Sequence, residues 1–401
     1  MNFPGSRSVP GLRACQATAG GKDGGMPSLT PWDDETWAPL PSLQGTVRAD
    51  VCVVGLGGSG LAALEELQAQ GLRAVGIDAC SVGAGAAGRN AGFILAGLAK
   101  FFHETVTLFG RETAMRIYRL TLEEVRRTAA DMPGIFRLNG SLRVAADMEE
   151  REDCRRHLAA LLAAGFPAEP YSGPEGEGLL LPSDGVFQPL ARVRFMARRL
   201  LAGGAQLYEL SPMRYLDHTR VVTADGVVEC DAVLVAVDGR LERVLPDLST
   251  WVRTARLQLL ATGPAPEVHF PRAVYRRFGF EYWQQLPDHS IVLGGFGDRA
   301  LEQEGTDSEE PTATIQGGME HFLREHLRVK APILHRWAAA VGYTLDALPV
   351  LDEVRPKVWA FGGYNGTGNV VGALCGRAAA RLATGQASEW AQLIRQAQHR
   401  T

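Results

Sequence analysis

The stretch Val51-Cys-Val-Val-Gly-Leu-Gly-Gly-Ser-Gly60 limits what this chain can fold into more than any other. Residues 51–54 form a short apolar, β-branched run, the kind buried on both faces of a parallel sheet. Gly55, Gly57 and Gly60 then space a G-x-G-x-x-G turn, with Gly58 and Ser59 inside it. Residues 61–69 follow with Leu, Ala and Glu and no breaker, as a helix requires. Gly55 permits the tight turn, Gly57 lets backbone approach a pyrophosphate, and Gly60 lets helix pack on strand. The helix N-terminus then offers unpaired N–H groups and a positive dipole end to phosphate. Residues 72–77 read as a second strand ending in Asp78, placed where a ribose hydroxyl is held, with Ala79 next. A glycine-rich turn with an incidental Asp is the plain alternative.

Two further stretches share this character. Cys80-Ser-Val-Gly-Ala-Gly-Ala-Ala-Gly-Arg-Asn-Ala-Gly-Phe93 is so rich in small residues that backbone must approach something closely. A loop leaving the second strand lies beside the first turn, so it is expected to meet the middle of a long dinucleotide. Gly88, Arg89, Asn90, Ala91 and Gly92 are the residues concerned. The other stretch is Gly362-Gly-Tyr-Asn-Gly-Thr-Gly-Asn369, which follows a strand at 358–361 and feeds a small-residue helix at 370–383. Gly362, Gly363, Asn365, Gly366, Thr367, Gly368 and Asn369 thus form a second turn at a helix N-terminus. Two such turns suit a cofactor with a pyrophosphate at one end and a polarised ring edge at the other.

With 401 residues there is room for two domains or one with an insertion. A net charge of −4 without a basic block argues against a nucleic-acid partner. The six cysteines form no C-x-x-C pair and do not cluster with His, so no metal site is expected and a reducing cytoplasm fits. No apolar run is long enough for a membrane span. Residues 1–27 are expected to be disordered, and Met1 and Met26 are both candidate starts. Residues 31–43 are expected to run over the surface and tuck in Trp32 and Trp37. Helices are expected at 101–132, 148–164, 190–201 and 313–326, and a Gly/Pro/Glu-rich loop at 172–182. Strands are expected at 142–145, 205–210 and 231–237, with a hairpin about Asp225-Gly226. Alternating runs at 257–261, 273–277, 281–285 and 290–294 predict a separate antiparallel sheet, and 302–310 an acidic loop.

These three motifs, in this order, resemble the D-amino-acid oxidase/glycine oxidase superfamily of FAD-dependent oxidoreductases over about residues 49–385. The tryptophan-bearing lead resembles the γ-glutamylputrescine oxidoreductase-like branch. The resemblance implies an α/β protein: a Rossmann-like FAD-binding domain with a parallel sheet, and an inserted antiparallel-sheet substrate domain with helices. The expected division is a tail at 1–30, an FAD-binding part at 31–140, 183–250 and 345–390, and a substrate part at 141–182 and 251–344. It also implies backbone contacts to the adenine end near Met213 and Ala236. The implied reaction oxidises the C–N bond of a small amine or amino acid by hydride transfer, with oxygen or an electron carrier as final acceptor. The imine formed then hydrolyses.

Four departures bear on cofactor and substrate. Asp78 stands where relatives carry Glu. Val341 stands where glycine oxidase-like members place an Arg that clamps the substrate carboxylate. Val341 also occupies the flavin-linking Cys position of the sarcosine oxidase branch, so FAD is expected to be noncovalent. No Lys lies in the sheet segments. Arg276 or Arg277 could replace the missing anchor, and Tyr275, Tyr282 and Tyr343 are candidates for a substrate wall or plain packing aromatics. No catalytic base is assigned. A 2-hydroxy-acid dehydrogenase of the same fold and a flavin-binding protein without turnover remain the rival readings.

Overall fold

The computed structural model describes residues 30–33 and 36–398. The expected disorder of residues 1–27 and both candidate starts lie outside them. The fold is mixed α/β, built on two large sheets. The first has six strands in the order Gln206–Tyr208, Ala74–Ile77, Val51–Val54, Ala232–Val235, Val358–Gly362 and Val350–Arg355. Only the last pairs antiparallel; the others are parallel. Every residue of Val51–Val54 and Ala232–Val235 is buried, because both faces of the sheet are covered. Val51 and Val53 face a layer that includes the helices Gly58–Ala69 and Val371–Ala383. Cys52 and Val54 face a small four-stranded sheet through Val221 and Val228. The two helices lie so close that a Cβ at Gly376 would stand 2.1 Å from the Ser59 carbonyl oxygen.

The second sheet has eight strands: Ile333–Thr344, Val252–Pro264, Ser290–Gly295, Glu281–Gln285, Ala273–Arg276, Ser141–Val144, Gly176–Leu181 and Glu169–Gly173. One face packs Leu260, Val274, Trp283 and Leu293 on the helix Ala313–Glu325. The other turns Leu259, Tyr282 and Trp337 towards the first layer.

Several expectations need correcting. Residues 172–182 are not a loop: Glu169–Gly173 and Gly176–Leu181 form a hairpin at the sheet edge, where Ser141–Val144 pairs with the second strand. The helix expected at 101–132 is two, Phe102–Phe109 and Arg111–Asp131, separated at Gly110 with φ +78°. The strand expected at 257–261 runs over Val252–Pro264, and the acidic loop holds one turn of helix, Leu301–Glu304. Val350–Arg355 and the helix Glu389–Gln398 were not foreseen. Among the described residues no helix is long and apolar enough to cross a membrane.

Candidate active site

Of the motif glycines Gly55, Gly57 and Gly60, the fold needs the first and last but not the middle one. Gly55 has φ +106°, and a Cβ there would lie 2.6 Å from the Ala236 carbonyl oxygen. A Cβ at Gly60 would lie 1.9 Å from the Gly55 carbonyl oxygen. Gly57 has φ −79° and ψ −177°, and its Cβ would meet only the Ala87 Cβ at 3.4 Å. Nothing in the protein itself requires glycine there, so the space beside it is free for a ligand. The helix Gly58–Ala69 has no side-chain cap, which leaves its first N–H groups free to meet an anion.

A buried cation stands at the same place. Arg192, 2% exposed, lies about 4.0 Å from where a Gly58 Cβ would be. Burial draws its pKa down to about 10, so it stays charged at neutral pH. It has no carboxylate within ion-pair distance among the described residues; it donates to the Asn369 carbonyl oxygen at 2.8 Å and to Asn369 Oδ1 at 3.3 Å, and its Nε is unpartnered. Free amides, a guanidinium and a void at Gly57 together fit a pyrophosphate. Asp78 ends its strand beside them. Its Oδ2 accepts from Leu56 N at 2.7 Å and its Oδ1 from Cys80 N at 2.8 Å; burial lifts its pKa to about 6. Each oxygen keeps a lone pair for a ribose hydroxyl. The Met213 side chain is buried in the layer between the parallel and four-stranded sheets.

The other two turns are tied to each other. Asn90 donates to the carbonyl oxygens of Ala86 and Ala87, and its Oδ1 accepts from Gly92 N at 2.9 Å. Asn369 Nδ2 donates to Asn90 Oδ1 at 3.1 Å and to the Phe93 carbonyl oxygen at 2.9 Å. Gly92 has φ +74°, and a Cβ there would collide with the Phe187 carbonyl oxygen. The eight-stranded sheet grips the same loop: Trp337 Nε1 donates to the Arg89 carbonyl oxygen at 2.7 Å, and Gln284 Nε2 to that of Ala91. Trp32 Nε1 donates to the Asn90 carbonyl oxygen at 3.1 Å, and Trp37 Nε1 to Glu209 at 2.9 Å, so the lead segment's indoles do more than cover surface.

Asp238 closes the ring. Its two oxygens accept from Tyr364 N at 3.0 Å and Gly342 N at 3.1 Å, and burial lifts its pKa to about 6. Asn365, at φ +54°, accepts from Thr344 N and donates to the Gly363 carbonyl oxygen. Gly366 has φ +83° with open space around it, and Thr367 Oγ1 donates to the Tyr364 carbonyl oxygen. Packing already favours glycine at Gly362 and Gly368, since a Cβ would meet Leu241 at 2.9 Å and the Tyr364 ring at 3.0 Å.

Facing this ring is an aromatic wall. Tyr275 and Tyr282 lie 5.6 Å apart, and Phe93 stands edge-on to both at 5.3 and 6.0 Å. Tyr343 and Val341 alternate with Trp337 along Ile333–Thr344 and so share its face. Burial pushes Tyr275 up to about 12 and raises Tyr282 and Tyr343 as well, so none of these hydroxyls is a base at neutral pH. Arg276 is not part of this wall. It follows Tyr275 on a strand and therefore points to the opposite face, where it pairs with Glu281 and lies over Phe322. Arg277 is held by Asp298 and Glu281 on that same side. Arg192, Asp238, Gln284 and Arg143, which lies across from Tyr275, escaped the sequence reading.

A family model described as "FAD dependent oxidoreductase" matches residues 50–382. The chain belongs to that family. It is 27% identical to a probable oxidoreductase, OrdL, of Rhizobium meliloti (strain 1021), over 87% of this chain and 86% of that one. It is 25% identical to the γ-glutamylputrescine oxidoreductase of Escherichia coli (strain K12), over 88% of each. Glycine oxidase from Geobacillus kaustophilus shares the fold, with a TM-score of 0.69 at 20% identity over 85% of this chain and 96% of that one. So does L-amino acid deaminase from Proteus vulgaris, with a TM-score of 0.69 at 17% identity over 90% and 95%. The chain is accordingly an FAD-dependent oxidoreductase.

Proposed function

We propose that this enzyme oxidises the C–N bond of an amine held between the Phe93–Tyr275–Tyr282 wall and a noncovalent FAD. The observation that carries this reading is a wall without a base. A 2-hydroxy acid must lose its hydroxyl proton, whereas a neutral amine already has its lone pair free, and no tyrosine of the wall can take a proton at neutral pH. Bound FAD supplies the hydride acceptor, and the imine formed is hydrolysed by water. The amides at Gly57–Ser59 and the Arg192 guanidinium would bind the pyrophosphate, and Asp78 the ribose. The Gly363–Thr367 turn feeds the helix Val371–Ala383, whose positive dipole end would stabilise negative charge on a reduced flavin ring. The aromatic wall excludes water and orients the amine.

Attachment is noncovalent because Val341, on the wall's face, has no nucleophile. The Cys375 thiol is buried, accepts from Trp390 Nε1, and is pushed up to about 12. Residues 141–182 with 251–344 are read as the substrate part. Electrons leave to oxygen or to a carrier protein. An anaerobic screen tests the reading. Primary amines or γ-glutamyl amines should bleach the flavin, with glycine, D-alanine and 2-hydroxybutyrate much slower; bleaching by the hydroxy acid alone would refute it.

A further inference from the structure

Beyond Tyr275, the wall leads to two polar groups that lack the partners their chemistry calls for. Arg143 pairs in register with Tyr275 on the neighbouring strand, so both side chains take the wall's face. Its guanidinium lies 5.6 Å from the Tyr275 ring centroid and 5.3 Å from that of Phe101. Among the described residues no carboxylate stands within ion-pair distance of it. Asp184 is the acid whose charge it feels, but Asp184 is engaged by Ser141 Oγ at 2.6 Å and Ala96 N at 2.9 Å. The neighbouring acids are engaged as well: Glu104 with Phe101 N and Lys100, Asp153 with His103 and Arg156, and Glu150 with three backbone N–H groups.

The second group is His157, 3% exposed, whose ring stacks on the same Phe101 at 4.9 Å. Its Nδ1 accepts from Phe102 N at 2.8 Å, and burial keeps the imidazole neutral. The one proton must therefore sit on Nε2, and among the described residues that N–H has no acceptor. A buried donor left so destabilises the fold unless a ligand meets it. Arg143 and His157 line one small cavity with Gly97, Lys100 and Tyr118.

We propose that Arg143 and the His157 Nε2–H form a carboxylate subsite at the far end of the substrate space. The substrate is then an amine bearing a carboxylate several bonds from the C–N bond. The remote position follows from the order of groups: Phe93, which follows the Gly92 turn, then Tyr275, then Arg143. Lys100, which also lines the cavity, is paired with Glu104 at 3.7 Å. That the subsite serves substrate rests on the C–N reading; that it binds a carboxylate does not.

The test uses the flavin-loaded enzyme and two kinds of probe. Glutarate, which has no amine to oxidise, is titrated calorimetrically into wild type, Arg143→Gln and Arg143→Lys. Glutarate should bind wild type, lose at least about tenfold in R143Q, and recover in part in R143K, as a charge-assisted contact requires. Separately, wild type should bleach with 5-aminopentanoate at a concentration at least about tenfold below that needed for n-pentylamine. Glutarate that binds R143Q as well as wild type, or does not bind wild type, overturns the proposal. So does equal bleaching by the two amines. If R143Q does not fold, the R143K titration and the wild-type pair of amines still decide. If glutarate binding depends on Arg143 while no amine bleaches, the subsite stands and the C–N reading falls.

Discussion

Gly57 adopts a conformation open to any residue and has no protein atom closer than ordinary contact to its missing Cβ. Gly57→Val should therefore leave the apoprotein folded and abolish FAD binding, because the side chain fills the pyrophosphate space. Gly366 is the reverse case: the space is open, but φ +83° strains any other residue by roughly 1–3 kcal/mol. Gly366→Val should keep part of its flavin while turnover falls. Flavin content and melting temperature of both variants decide; equal loss of colour would assign the second turn to the primary grip. Arg192→Met should lower flavin affinity by at least about tenfold, the order of one charge-assisted contact, with little change in the far-ultraviolet spectrum. At this scale the sequence could also have corrected itself. Tyr275 and Arg276 are adjacent on a strand, so they cannot face the same ligand.

The elements differ in how openly they declared themselves. The three glycine-rich turns were legible because tight turns and helix starts are local matters of backbone shape. The hairpin at Glu169–Gly173 and Gly176–Leu181 was not, because its strands exist through their pairing with Ser141–Val144. Arg143, Arg192 and Asp238 were hidden for a similar reason: each matters through a neighbour over 40 residues away. Trp337→Phe keeps an aromatic side chain, though a smaller one, and removes the hydrogen bond to the Arg89 carbonyl oxygen. It should cost about 1–2 kcal/mol and slow bleaching by loosening the 89–92 loop. Asp184 joins Ser141 to Ala96, and burial raises its pKa from 3.8 to about 6. A raised carboxyl binds its proton more tightly folded than unfolded, so its contribution is full below about pH 4 and is lost as pH rises through about 6. The stability margin of wild type over Asp184→Asn should shrink over that interval; thermal melts in steps of pH read it, and a margin that widens would reject the assignment.

Taken whole, the molecule sets a parallel sheet that ends in glycine turns against an eight-stranded sheet whose inner face carries aromatic rings. Trp337 and Gln284 reach from the second sheet to carbonyls of the 89–92 loop, and Asp238, just past a strand of the first sheet, reaches back to Gly342. The space between them belongs to both sheets and to neither alone. That is why composition and motifs named the cofactor but not the substrate. Acid precipitation should release all flavin to the supernatant, since Val341 offers no link; colour left in the pellet would contradict noncovalent binding. The central claim is C–N oxidation at the base-free wall. It is tested most directly by one anaerobic turnover with 5-aminopentanoate, read for bleached flavin and for carbonyl product together. The account predicts one carbonyl formed per flavin bleached, with no bleaching by 2-hydroxybutyrate under the same conditions. Bleaching by the hydroxy acid, with no carbonyl from any amine, would contradict it.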